Sequence, residues 1–517
     1  MSRKIFFNAK VLTQDKLMPE ADAFIVEEDK FIAVGNTATI LAQQSTDDIL
    51  IDLEGNFVIP GFNDAHIHIW KVGNLMTNML DLRGVESIKV MQEKIAAYAE
   101  KNKHLSWIQA RGFNEANFAE KRFPTKADLD AIGLNRPICV TRTCAHQIIV
   151  NSIALNIAEI DAHTAVPSGG EMKLLSDGTV AGHFTETAIS LILTKISKYT
   201  KAELREMILA AQHQLLQYGV TAATDPAVDR DLLEVYKTMD AAGELKLRIN
   251  AIPIRVPDGA SKVYPNPEHY RSKHLTVNTV KFFADGGLSG KTAAMIRPYN
   301  NENSFGVLRL SFEQFRQLAA ESQQAGFKIA THAIGDAAIT MVLDVYTSIS
   351  PENTTGLCHR IEHLGFPDED DLQTMKQLGV IAVMQPLFIT ELGNNFIQYI
   401  DDDYLQYVYP VRAVLNAGVT VAFSTDAPVV KQFDPLQTIS AAMTRKTLRG
   451  DVIASNQAIT LQEALYAHTM GSAKAANQES EIGAIEVGKY ADFIVLNNLE
   501  PLSAKILHTY IAGMLVN

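Results

Sequence analysis

Residues 57–68 read FVIPGFNDAHIH, an apolar run, a glycine and then two histidines two positions apart. In an extended strand, residues i and i+2 face the same side, so His66 and His68 can both reach one cation. The pair alone is equally compatible with a polar patch at a strand end. Seven further short apolar runs follow: GVTAATD (219–225), LKLRINAIPI (245–254), TVNTVKFFADG (276–286), FKIATHAIG (327–335), LCHRIEHLG (357–365), VIAVMQP (380–386) and VTVAFSTDA (419–427). The intervening stretches include LSFEQFRQLAAESQQAG and DEDDLQTMKQLG, which have helical spacing and stop at glycine. Eight such units predict an α/β chain closed into a (β/α)₈ TIM barrel. An open doubly wound sheet shares this pattern, but no GxGxxG follows the first run and no P-loop occurs.

The chain ends have a different texture. KIFFNAKVL, ADAFIVEEDKFIAVG and ILIDLEGNFVIPG read as short alternating strands, and IGAIEVGKYADFIVL with HTYIAGMLVN repeats the pattern at the far end. Gly513 is placed for a hairpin turn. The expectation is a small composite β-sandwich domain from 1–59 and 478–517, with the barrel over 60–104 and 191–477. From His68 to Gly219 the gap far exceeds a βα connection. It holds HLSWIQARGFNE, RPICVTRTCAHQIIV and the helix candidate TKAELREMILAAQHQLLQYG. An inserted α+β subdomain over 105–190 is therefore expected after the first barrel strand, leaving the catalytic face as a lid.

Composition narrows the function classes. The chain has 517 residues, 47% of them hydrophobic and 20% charged, which fits a globular protein and not a disordered one. Its formal charge of −13, without basic runs, argues against nucleic acid as a partner. Cys139, Cys144 and Cys358 show no CxxC spacing, so neither a disulfide framework nor a thiolate zinc site is indicated. The N-terminus lacks the apolar core of a signal peptide, and no run approaches the ~20 apolar residues of a membrane span. A cytoplasmic location is expected.

Lys281, His332, His363 and Asp426 lie at or near the C-terminal ends of four later strands. Each has an ordinary reading alone: a strand histidine is commonly a bonded core residue, an Asp before Ala-Pro can cap a turn, and Lys281 can pair with Asp285. Together with His66 and His68 they form six metal-competent groups from five strands. In a barrel, these strand ends converge on the face where active sites lie. Imidazole and carboxylate donors suit Zn²⁺, with Fe, Mn, Co and Ni compatible. No GxSxG elbow offers a covalent nucleophile.

GFNDAHIH, VKFFADGG, THAIGD, RIEH and STDAPV resemble the successive metal motifs of the amidohydrolase superfamily. The resemblance is to its amidohydrolase-3 branch, which includes N-substituted formamide deformylase, and covers nearly the whole chain. It implies a metal centre in which His66, His68 and Asp426 hold one ion and His332 and His363 another. Lys281 would bridge them as a CO₂-derived carbamate, since a bare ammonium between two cations would be repelled. One or two ions per subunit fit the family. Asp426 would act as general base and then general acid. The implied reaction is hydrolysis of a C–N bond in an amide, formamide or related N-acyl small molecule by metal-activated water. An ester, lactone or phosphoester hydrolase and a non-catalytic binding or regulatory barrel are the alternatives. RGFNEANF, HQIIVNS and GHFTE look like that branch's insertion motifs, but no role is carried over to His146, His183 or Glu186. The expected partner is a small-molecule substrate, with homodimerisation left open.

Overall fold

The computed structural model describes residues 3–143, 147–167, 170–257, 262–300, 302–350 and 358–517. The chain divides into two compact units, Met1–Ile69 with Gln212–Asn517, and Trp70–Ala211.

In the first unit, eight strands correspond to the eight apolar runs: β1 (Phe62–Asp64), β2 (Val220–Val228), β3 (Arg248–Pro253), β4 (Thr279–Phe283), β5 (Lys328–Ala333), β6 (Arg360–His363), β7 (Ile381–Met384) and β8 (Val421–Phe423). β1, β2 and β3 pair in parallel, as do β4 through β8. Leu275–Val277, just before β4, runs parallel to β3, and a parallel bridge from Ile254 to Lys281 continues that contact. At the opposite edges, Ala65 N donates to Phe423 O at 3.1 Å and Asp426 N to His66 O at 2.7 Å. The strands are buried almost throughout, as expected for parallel sheet covered on both faces.

Helices follow β4, β5 and β6 at Phe312–Gln324, Asp336–Ile349 and Glu369–Leu378. Ser311 caps the first through Gln314 N, and its buried Phe315, Leu318, Ala319 and Ser322 share one face. Asp368 and Asp371 form a capping box on the third, which ends at left-handed Gly379.

Both chain ends enter one sheet. Phe57–Pro60 runs antiparallel to Phe493–Leu496, which pairs with Ile506–Ile511. A second sheet orders Lys30–Gly35, Ala23–Glu27, Lys4–Phe7 and Ile49–Asp52. Phe6, Phe24, Phe31, Phe493 and Tyr510 share a core between them. Ala512 and Gly513, at φ +52° and +68°, make the left-handed two-residue turn before Met514–Leu515.

Trp70–Ala211 has its own six-stranded sheet, in the order Gly170–Leu174, Val180–Glu186, Gln147–Val150, Ile138–Arg142, Ile108–Phe113 and Leu80–Asp81. This unit extends past 105–190 at both edges. The reason on the N-terminal side is local: Leu80–Asp81 is an edge strand of that sheet, and helix Ile88–Lys101 buries Ile88, Met91, Ile95 and Ala99 against Ile108, Ala110 and Val140. Among the described residues, no helix is long and apolar enough to cross a membrane.

Candidate metal centre

His66 and His68 follow β1 instead of lying on it, a departure from the strand placement expected from sequence. Asp64 is the cause. Its buried carboxylate accepts from His66 N at 3.1 Å, Thr425 N at 3.2 Å and Thr425 Oγ1 at 2.6 Å, which turns the chain out of the ladder. Main-chain bonds still pin the segment on both sides, because Ile67 N donates to Thr224 O and His68 N to Ala427 O, each at 2.9 Å.

The histidines nevertheless meet Asp426. Ligand atoms of His66, His68 and Asp426 lie within 4.8 Å of one another. Asp426 Oδ1 is 3.4 Å from Nε2 of both histidines. The His363 ring lies 5.0 Å from that of His66 and 4.5 Å from that of His332. Second partners select the nitrogens left for a ligand. His66 Nδ1 donates to Glu362 Oε2 at 2.5 Å, His363 Nδ1 to Gln385 Oε1 at 2.7 Å, and His332 Nε2 to Gly286 O at 3.1 Å. Nε2 of His66 and His363 and Nδ1 of His332 are thereby left to coordinate. His363 and Asp426 hold left-handed backbone at φ +77° and +56°, a conformation that non-glycine residues adopt mainly under constraint, often at functional sites.

Lys281 is 1% exposed, and its Nζ has no hydrogen-bond partner. Burial pushes its pKa down to about 8. Asp285, the acid that sequence offered as its partner, is otherwise occupied: its carboxylate accepts from Ala294 N at 2.9 Å, Ile334 N at 3.1 Å and Gly335 N at 2.8 Å. Burial, with Lys281 and neighbouring histidines adding to it, holds His332 and His363 neutral by lowering their pKa values. Burial would raise the Asp426 carboxyl, but His66, His68 and His363 hold it well below the usual range. Neutral imidazoles and an ionised carboxylate are the protonation states that cation binding requires. A buried ammonium without a hydrogen-bond partner is costly, so Lys281 also fits conversion to an anionic carbamate. The residues present suit a divalent metal with nitrogen and oxygen donors.

Sequence reasoning missed Glu362, Arg360 and Gln385, which touch or back the histidines. The sequence signal for Arg360 and Glu362 was the pair of charges beside His363 in RIEH, whereas Gln385 follows the apolar run VIAVM without one. His183 packs within its own unit, stacked 4.7 Å from Phe123 with Nε2 2.9 Å from Gln147 Oε1. His146 and the Glu186 side chain lie outside the described residues.

Residues 50–516 match the model of the amidohydrolase family. N-substituted formamide deformylase of Arthrobacter pascens is 26% identical over 99% of this chain and 97% of its own. Protein LONG AFTER FAR-RED 3 of Arabidopsis thaliana is 26% identical over 98% of this chain and 90% of its own. The crystal structure of an uncharacterized metal-dependent hydrolase from Pyrococcus horikoshii aligns with a TM-score of 0.80 and 25% identity, covering 98% of this chain and 99% of that one. With an α/β fold and a family match over nearly its whole length, the chain belongs to the amidohydrolase family and is a hydrolase acting on carbon–nitrogen bonds.

Proposed function

We propose that β1–β8 form one (β/α)₈ barrel, with the end sheets as its small β-sandwich domain and Trp70–Ala211 as its α+β insertion. The barrel would carry a divalent metal centre that cleaves the C–N bond of an amide, formamide or related N-acyl small molecule. The observation that carries this reading is the buried Lys281 amine without a hydrogen-bond partner, in the unit that also gathers His66, His68 and Asp426.

His66, His68 and Asp426 would hold one ion, and their imidazole and carboxylate donors make Zn²⁺ the best fit. His332 and His363 would hold a second, bridged by Lys281 as carbamate. When bound, the metal supplies Lewis acidity and an acidified water. Asp426, kept ionised, takes the proton as the water oxygen attacks the carbonyl carbon. It returns that proton to the nitrogen as the C–N bond breaks, releasing a carboxylic acid and an amine. Glu362, Gln385 and Gly286 O hold the histidine tautomers throughout. The name of the Arthrobacter relative favours N-substituted formamides within this class, and the cysteine usage fits a cytoplasmic setting.

The test is metal analysis of the purified protein, followed by a screen of N-formyl and N-acyl compounds beside esters, lactones and phosphoesters. Bound divalent metal and chelator-sensitive amide or formamide cleavage are expected. Protein that turns over only esters or phosphoesters would overturn the C–N assignment, and protein that binds no metal would overturn the centre.

A further inference from the structure

Glu362 stands outside the ligand set, yet it is wholly buried and both of its oxygens are engaged. Oε2 accepts from His66 Nδ1 at 2.5 Å and from Arg360 Nη2 at 3.0 Å, and Oε1 accepts from Arg360 Nε at 2.5 Å. Arg360 is equally buried and donates onward to Ala65 O and to Ala475 O. One guanidinium therefore ties the carboxylate to the main chain beside His66. A buried carboxylate is tolerated only when paired and fully bonded, and this pair meets that condition.

The backing of His363 and His332 is of a different kind, and the Asp225 carboxylate stands 3.9 Å from His68 Nδ1, beyond hydrogen-bond reach. His363 Nδ1 meets the neutral amide of Gln385, whose Nε2 donates to Ser424 Oγ at 2.8 Å, and His332 Nε2 donates to the Gly286 main-chain carbonyl at 3.1 Å, with an Asp285 oxygen farther off at 3.4 Å. A carboxylate behind an imidazole makes the opposite nitrogen a stronger donor than a neutral amide does, and fixes its tautomer more firmly.

We propose that the Arg360–Glu362 pair is a positioning device that aims His66 Nε2 toward Asp426 and makes the His66–His68–Asp426 position the tighter of the two metal positions. This rests on the metal-centre reading above.

The experiment is titration of metal-stripped full-length protein with Zn²⁺ against a competing chelator. Glu362→Gln is expected to weaken the tightest class of sites about ten- to a hundredfold. Gln385→Leu is expected to leave that class in place and weaken the other. Because Glu362→Gln strands a buried guanidinium, the double variant Arg360→Met/Glu362→Gln removes both charges and keeps the test available if the single variant fails to fold. It should fold, by circular dichroism, and show the same selective loss. If a folded Glu362 variant keeps its tightest class unchanged, or if that class follows Gln385 instead, this inference is overturned while the metal centre stands. Failure of the unaltered protein to take up zinc overturns the metal centre and this inference with it.

Discussion

Asp426 and His66 are joined twice: Asp426 N donates to His66 O at 2.7 Å, and Asp426 Oδ1 lies 3.4 Å from His66 Nε2. The first contact joins the segment after β8 to the segment after β1. The second places two donor groups side by side. Strand order and donor geometry are thus set by the same residues, and a register slip at this edge would misplace both the ladder and the side chains it presents.

A comparable link lies nearer the chain ends. Arg248 on β3 donates from Nε to Asp492 Oδ2 at 2.6 Å and from Nη2 to Oδ1 at 2.9 Å, with its guanidinium 3.9 Å from the Tyr490 ring. Both side chains are buried. Arg248→Met strands the carboxylate and should lower stability by about 3–5 kcal/mol. Arg248→Met/Asp492→Asn should recover much of that loss, as read from urea denaturation of both variants. Equal losses in the two would show that packing on Tyr490, not charge pairing, dominates.

Lys281 gives a pH-dependent prediction for the metal-free protein. Its folded pKa of about 8 lies below the ordinary lysine value of 10.5, so the unfolded chain binds the extra proton between those values. Stability from this group therefore rises with pH across that window, and the penalty is fullest below pH 8. Lys281→Met should stabilise the metal-free protein by on the order of a few kcal/mol at pH 7. The gain should shrink as pH rises from 8 toward 10.5. A pH-independent difference between variant and parent, measured by denaturation, would rule out the buried ammonium as its source.

What sequence made legible was local. Alternation and short apolar runs marked the strands, and glycine after helical spacing marked stops such as Gly379. Gly513 was readable because a two-residue left-handed turn needs it. The candidate ligands were readable because His, Lys and Asp are rare at the ends of apolar strands. The end of β1 was not readable, since it depends on the Asp64 carboxylate accepting from Thr425, remote in sequence. Glu362 and Gln385 were hidden for the same reason: the histidines they bond, His66 and His363, are remote from them in the chain. The edges of the second unit were hidden because the apolar face of Ile88–Lys101 shows that the helix is covered, not by which sheet.

In the metal-loaded protein, Lys281 should carry a carboxyl group, because a bridging position calls for an anion and its Nζ has no hydrogen-bond partner. Electron density extending beyond Nζ, with the mass of one added CO₂ under non-denaturing conditions, is the expected result. Lys281→Ala should weaken binding at both metal positions. An unmodified lysine in active, fully metallated protein would remove the bridge from the mechanism.

Asp426 carries two tasks, ligation and proton transfer, and a single substitution separates them. Asn preserves the shape and one oxygen donor but cannot accept the proton. Loss of a positioned acid–base group removes about 10²–10⁴ in rate, whereas His66 and His68 remain as donors at the same position. Asp426→Asn should therefore keep most of its metal while kcat falls at least about a hundredfold. Metal content and turnover have to be measured on one preparation, because loss of metal would produce the same fall in rate by a different route. A variant that keeps its metal and turns over at the parent rate would show that another group moves the proton, and Glu362 cannot replace it, since both of its oxygens are already bonded to His66 and Arg360.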